Sequence, residues 1–192
     1  LNTPGFAQLD FSTLKVVVGG GAAVLKPVAE RWQQVTGHHL TEAYGLTEAA
    51  PGVCAMPLAA PWDGTVGLPL PSTDVSIRDE NFNELPVWTG AGATEKHTGE
   101  LCVRGPQVMT GYWNKPKETA QVMRDGWLAT GDLAYRDADG FYYICGRRKE
   151  MYISGGENVF PAEIEEVLLT HPNVAEVAVV GIPHPKWGEV GR

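Results

Sequence analysis

Residues 44–48, Tyr-Gly-Leu-Thr-Glu, set an aromatic ring, a flexible glycine, a hydroxyl and a carboxylate side by side. Such a set suits a nucleotide. The Tyr44 ring can stack on a base, Gly45 lets the backbone bend, the Thr47 hydroxyl can donate to a phosphate oxygen, and Glu48 can hold a magnesium ion. Magnesium takes oxygen ligands and uses one or two protein carboxylates when phosphates supply the rest. A helix start capped by Thr47 is an equally good reading of the same residues. Asp132, in Thr130-Gly131-Asp132, offers a carboxylate able to accept both hydroxyls of a ribose, or an ordinary turn residue. Arg147, Arg148 and Lys149 form a small cationic group that suits phosphate or simply solvent. The glycines at 19–21 would let a ligand approach the backbone closely, but they do not spell G-x-G-x-x-G, and a triple glycine alone is more often a turn. Ser154–Asn158 (SGGEN) reads as a backbone channel or as a loop leading to a helix. His171 and His184 have no metal-ligand spacing and read as surface or capping residues. With no G-x-S-x-G elbow in the chain, hydrolase chemistry has no support.

These residues need elements to position them. Lys15–Val18 is a β-branched run entering the triple glycine, which predicts a strand and then a tight turn. Leu25, Val28, Ala29, Trp32 and Val35 recur at helical spacing, with Gly37 where a C-terminal cap belongs. A second strand is expected over His39–Ala43, running into Tyr44. After Pro51, alternation at Val75/Ile77 and Leu101/Val103 predicts antiparallel strands. Leu128–Arg136 and Phe141–Gly146 flank Asp137-Ala138-Asp139-Gly140, the turn chemistry of a β-hairpin. Pro86–Thr98, rich in Gly, Ala and Thr, reads as a mobile surface loop. Pro161 opens a helix with Glu163 in its first turn and an apolar face of Ile164, Val167 and Leu168. Val174–Ile182 reads as a strand.

The chain has 192 residues, 43% of them hydrophobic and 20% charged, a composition that can build one good core. A net charge of −8 without a Lys/Arg cluster argues against nucleic acid as a partner. Cys54, Cys102 and Cys145 stand far apart with no CxxC pair, which suggests neither zinc nor a disulfide framework and suits a reducing cytoplasm. No apolar run approaches the ~20 residues of a membrane-spanning helix. The chain opens without a methionine and stops in mid-pattern at Trp187–Arg192, so a fragment of something longer is expected.

Taken in order, the GGGAA run at Gly19–Ala23, YGLTE, the long segment GWLATGDLAYRDADGFYYICGRRKEMYISGGENVFPAEIEEVL and VAVVGIPHPKWGE resemble the adenylate-forming (AMP-binding) superfamily. Within it, LDFSTLKVVVGGGAAV, VAERWQQVTG and GELCVRGPQVMTGYW look most like bacterial long-chain fatty acyl-CoA ligases. The resemblance covers nearly the whole chain. It implies an α/β chain carrying the end of a large AMP-binding domain (residues 1–148, with a β-rich subdomain at about 64–146) and, from 149, the hinge and opening of a small α+β domain. It further implies ATP-dependent activation of a fatty acid or other carboxylic acid as an acyl adenylate, then transfer to coenzyme A. The roles follow position by position: Tyr44 and Ile144 against adenine, Gly20, Gly21 and Ala22 bordering adenine and the acyl pocket, and Gly45 in the nucleotide loop. Thr47 would meet the α-phosphate, Glu48 magnesium, Asp132 the ribose hydroxyls, and Arg147 ribose and phosphate. Lys149 would be the hinge, and Gly155, Gly156 and Trp187 would line the pantetheine path. The family's Ser/Thr/Gly-rich phosphate loop and its adenylation lysine are not found in the chain, so the chain alone is expected to be inactive. Sheet edges left without neighbours would favour a homo-oligomer. Peripheral contact with a membrane is compatible with the resemblance. A non-catalytic nucleotide-binding or interaction module, and another adenylate-forming enzyme, are the rival readings.

Overall fold

The computed structural model describes every residue except 59, 91–94 and 172. The chain forms three sheets. The first begins with β1 (Val18–Gly20), which pairs in parallel with β2 (Thr41–Gly45) through α1 (Lys26–Thr36). The helix matches its predicted periodicity. It ends as expected at Gly37, left-handed at φ 76°, whose N–H donates to the Gln33 carbonyl. The strand before it lies further along than Lys15–Val18: it starts at Val18 and consumes Gly19 and Gly20, so the turn begins only at Gly21. The close approach of β2 explains this, since a side chain on Gly20 would sit 2.7 Å from the Ala43 carbonyl oxygen. β2 likewise runs two residues beyond the expected Ala43. Antiparallel β3 (Gly52–Ala55) and β4 (Leu68–Pro69) complete the order β1-β2-β3-β4.

The second sheet is antiparallel. It contains β5 (Asp74–Arg78) and β6 (Gly99–Arg104), then, after α2 (Pro116–Val122), β7 (Met123–Arg124), β8 (Trp127–Arg136) and β9 (Tyr142–Arg147). Its order is β5-β6-β8-β7, with β9 also on β8. Val75 faces Val103 and Ile77 faces Leu101, as the alternation predicts. The β8–β9 hairpin closes through the expected turn, with Gly140 at φ 91°. Within the Pro86–Thr98 stretch, residues 91–94 lie outside the described ones, while Trp88 bridges Asp137 and meets the Tyr135 ring edge-on at 5.4 Å. That end of the stretch is anchored on the hairpin.

Val53 and Cys54 of the first sheet pack with Val75, Ile77, Leu101, Val103, Ala134 and Tyr142 of the second, forming one core. Two buried polar groups lock the seam. The Thr65 hydroxyl donates to the Tyr142 carbonyl (2.8 Å), and the Tyr142 hydroxyl to the Val75 carbonyl (2.9 Å).

The third sheet is built entirely from residues 152–191: β10 (Tyr152–Ser154), β11 (Glu157–Val159), α3 (Pro161–Leu169), β12 (Gly181–His184) and β13 (Gly188–Gly191), in the order β11-β10-β13-β12. Pro161 opens α3 and Glu163 occupies its first turn, as predicted. Its expected apolar face is largely in solvent, with Val167 at 69% and Leu168 at 42% exposure. The strand expected over Val174–Ile182 also differs, since only its end enters the ladder. Val180 exchanges two backbone hydrogen bonds with Arg192 and β12 starts at Gly181, whereas the Val179 N–H donates to the Glu165 carboxylate (2.7 Å). A β-branched run becomes a strand only where a neighbour takes its backbone groups. Among the described residues no helix is long and apolar enough to cross a membrane.

Candidate functional site

Because β1 and β2 are parallel, their carboxyl ends lie together, the position at which open α/β sheets bind ligands. Gly20 pairs with Ala43, so exposed Gly20, Gly21 and Ala22 stand beside the start of residues 44–48. The ladder slips between Tyr44 and Gly45, where a side chain on Gly45 would collide with the Pro51 carbonyl. The chain then makes a short 3-10 turn over Thr47–Ala49. Leu46 holds the cap position without a side-chain bond, so the Thr47 cap reading gives way and the Thr47 hydroxyl lies exposed.

The Tyr44 hydroxyl donates to Asp132 Oδ2 at 2.6 Å, and Asp132 Oδ1 lies 3.3 Å from Arg147 Nε. Three sequence candidates, one on β2, one on β8 and one opposite it on β9, thus meet at a single carboxylate. Asp132 is buried, whereas Arg147 is more than half exposed and reaches toward solvent. Burial, followed by the bond to Asp132 and its negative charge, pushes the Tyr44 phenol far above its ordinary range, so this phenol stays a donor. The Asp132 backbone is fixed in turn: its N–H donates to Thr130 Oγ1 (3.1 Å), whose hydroxyl donates to the Leu101 carbonyl (2.8 Å). Each Asp132 oxygen carries two lone pairs, so both keep acceptor capacity for a ribose hydroxyl. Ile144 is half-buried and packs, like Tyr44, at the rim of the main core.

The cationic trio is divided. Arg147 joins Asp132, Arg148 reaches Glu100 (3.2 Å) and Glu80 (3.3 Å), and Lys149 is exposed in the turn after β9.

Glu48 is half-buried. Its Oε1 accepts the Tyr112 hydroxyl at 2.7 Å, and its carbonyl accepts the Met109 N–H at 2.8 Å. Among the described residues no group of three or more His, Cys, Asp or Glu could cage a metal. A carboxylate beside an exposed hydroxyl suits instead a cation that brings most of its ligands with phosphate, and Glu48 fits magnesium in that manner.

Gly155 and Gly156 form the β10–β11 turn at φ 62° and 94°, a pairing of left-handed residues that favours glycine. The Gly155 N–H donates to the Trp187 carbonyl (2.8 Å), and a side chain there would meet the Trp187 ring at 3.0 Å. Gly155, Gly156 and Trp187 therefore form a second cluster. No hydrogen bond or ion pair among the described residues joins it to the first. His184 accepts the N–H groups of Lys186 and Trp187 and His171 that of Asn173, so both are capping residues as expected.

Two contributors were not anticipated. Tyr112 is one, through its hydroxyl on Glu48. Glu42 is the other: buried on β2, it accepts the Val24 N–H (3.2 Å) and the Trp62 indole N–H (2.7 Å), tying down the chain that follows Gly20–Ala22. Its burial pushes the carboxyl above the ordinary range. A charged residue in a short strand, two before Tyr44, was the available signal.

The AMP-binding enzyme family matches residues 1–113, and the AMP-binding enzyme C-terminal domain matches 163–192. The chain belongs to the AMP-binding enzyme family. It is 50% identical, over 98% of its length, to a long-chain-fatty-acid–CoA ligase of Yersinia pestis, and 42% identical to a feruloyl-CoA synthase of an Amycolatopsis species. It spans 32% and 37% of those two relatives, about a third of their length. Among solved structures it is similar to o-succinylbenzoate CoA synthetase from Bacillus subtilis in complex with its acyl-adenylate intermediate, at a TM-score of 0.82 and 34% identity. That match covers 93% of this chain and 35% of the other. This family member thus has the α/β fold of adenylate-forming enzymes.

Proposed function

We propose that this AMP-binding family member serves the ATP-dependent conversion of a fatty acid, of long chain by likeness to the Yersinia pestis ligase, into its coenzyme A thioester. The meeting of Tyr44, Asp132 and Arg147, with Thr47 and Glu48 on the next turn, carries the reading. An aromatic ring, a buried carboxylate and an exposed guanidinium together match base, ribose and phosphate in one direction along a nucleotide.

In the first step a substrate carboxylate oxygen bonds to the α-phosphorus of ATP while the bond to the β-phosphate oxygen breaks, releasing pyrophosphate. In the second the coenzyme A sulfur bonds to the acyl carbon, the carbon–oxygen bond to AMP breaks, and the thiol proton is lost. Asp132, held by Tyr44, would accept ribose hydroxyls. Arg147 would face ribose and phosphate, and the exposed Thr47 hydroxyl would donate to the α-phosphate. Tyr44 and Ile144 would flank the adenine, with Gly20, Gly21 and Ala22 at its border and Gly45 shaping the loop. Glu48 would hold magnesium, which neutralises phosphate charge when bound. Positioning and charge neutralisation supply most of such catalysis. We assign residues 1–148 to the large domain, the hinge to Lys149 and the rest to the small domain, supported by a third sheet drawn wholly from residues beyond 149. Gly155, Gly156 and Trp187 would line the thiol's path.

The test is acid-dependent release of pyrophosphate and formation of thioester by the full-length gene product, given ATP, magnesium, coenzyme A, fatty acids of graded length and an aromatic acid. Thioester from long-chain acids supports the reading. Preference for the aromatic acid moves the substrate toward that named for the Amycolatopsis relative. No pyrophosphate with any acid leaves a nucleotide-binding module as the better account.

A further inference from the structure

Tyr112 lies 64 positions from Glu48 in sequence, yet its hydroxyl donates to Glu48 Oε1 at 2.7 Å. The contact belongs to a longer chain of bonds. The Tyr112 N–H donates to Thr119 Oγ1 (2.9 Å), and the Thr119 hydroxyl donates to the Lys115 carbonyl (2.8 Å), so the first turn of α2 fixes the tyrosine's backbone. Upstream, the Met109 N–H donates to the Glu48 carbonyl (2.8 Å). The segment 109–112 is therefore stitched to Glu48 at main chain and side chain alike. A glutamate has three side-chain torsions, and a half-buried one with a single short phenolic bond loses most of that freedom. Glu48 Oε2 accepts no hydrogen bond among the described residues, so one oxygen is fixed and the other is free to bind.

We propose that Tyr112 is a positioning residue for Glu48, holding one carboxylate oxygen so that the other is presented to the divalent cation that accompanies ATP. The inference rests on the nucleotide reading above and adds a role for a residue outside residues 44–48. Partners that orient a metal ligand commonly contribute about tenfold or more to metal affinity.

The experiment compares the full-length gene product with Tyr112→Phe, titrating magnesium at fixed ATP and following the ATP-dependent gain in thermal midpoint alongside acid-dependent pyrophosphate release. The variant should need about tenfold more magnesium for half of the effect in both readouts, while its gain with ATP and chelator stays that of wild type. An unchanged magnesium midpoint overturns the proposal, even if activity falls. Thr119→Ala, which keeps the phenol but frees its backbone, should shift the midpoint the same way by less and serves if Tyr112→Phe folds poorly; no shift there also overturns it. A wild-type protein with no ATP-dependent gain at all fails the nucleotide reading instead, and that outcome is visible before any variant is made.

Discussion

At the scale of single residues, Asp132 concentrates the consequences. Its buried carboxylate is the common acceptor for Tyr44 and Arg147, so truncation leaves a half-buried phenol unpaired and a guanidinium without its partner. Hydrogen bonds to charged groups contribute about 1.5–3 kcal/mol, and about 1.4 kcal/mol is tenfold in affinity. Asp132→Ala should raise the KM for ATP by about tenfold or more, with Asp132→Asn intermediate because it keeps an acceptor for Tyr44. Steady-state kinetics decides, and an unchanged KM in both variants removes Asp132 from the nucleotide site. The cysteines give a pH-dependent counterpart. Burial pushes the Cys54 and Cys102 thiols up to about 12, and the thiolate is the reactive form. Neither should react with an aromatic disulfide reagent near pH 8 until the chain is unfolded, and labelling of the native protein at these positions would show the core to be open. Tyr44, Thr47, Glu48, Asp132 and Arg147 were legible as types because each carries a ring, hydroxyl or charge that chemistry could use. Their partners were not. The Tyr44 hydroxyl finds Asp132 across 88 positions and Glu48 finds Tyr112 across 64, separations that only tertiary structure closes.

At the scale of elements, legibility followed how locally each was determined. The β8–β9 hairpin is specified by four turn residues between two alternating runs, and α1 by its apolar spacing and a terminal glycine, so both could be read without the rest of the chain. The strands around the triple glycine and at Val174–Ile182 depend on a neighbour to take their hydrogen bonds, and their limits shifted accordingly. The β10–β11 turn yields a prediction that separates structure from chemistry. Gly155 is left-handed at φ 62°, and a side chain there would press on the Trp187 ring at 3.0 Å. Gly155→Ala should cost about 1–2 kcal/mol in this conformation and displace Trp187. If this turn lines the thiol's path, thioester formation should fall while acid-dependent pyrophosphate release persists. Measuring both products from one reaction distinguishes that outcome from general unfolding, which lowers them together.

At the scale of the whole molecule, two sheets share a core, and a third, made only from residues beyond 151, follows a turn at Arg148–Glu150. In that turn the N–H groups of Glu150 and Met151 both donate to the Arg147 carbonyl, at 3.0 and 3.1 Å. Arg147 is also the residue bound to Asp132, so a rotation starting at Lys149 would reorient the third sheet while leaving Arg147, Asp132 and Tyr44 in place. Hinges are a few such positions whose backbone torsions absorb a domain movement. Proline at 149 would fix φ near −65° and restrict the residue before it, which limits the torsions available without touching Asp132, Tyr44 or Glu48. Lys149→Pro should therefore keep acid-dependent pyrophosphate release close to wild type while reducing thioester formation by more than about tenfold, as expected when a conformational step limits turnover. Lys149→Ala, which leaves the backbone free and removes only an exposed side chain, should move thioester formation the same way by less. Single-turnover measurement of the two steps is the decisive comparison: equal losses in both would mean that position 149 supports the nucleotide site itself, and the pivot would have to be sought elsewhere in the chain between Arg147 and Tyr152.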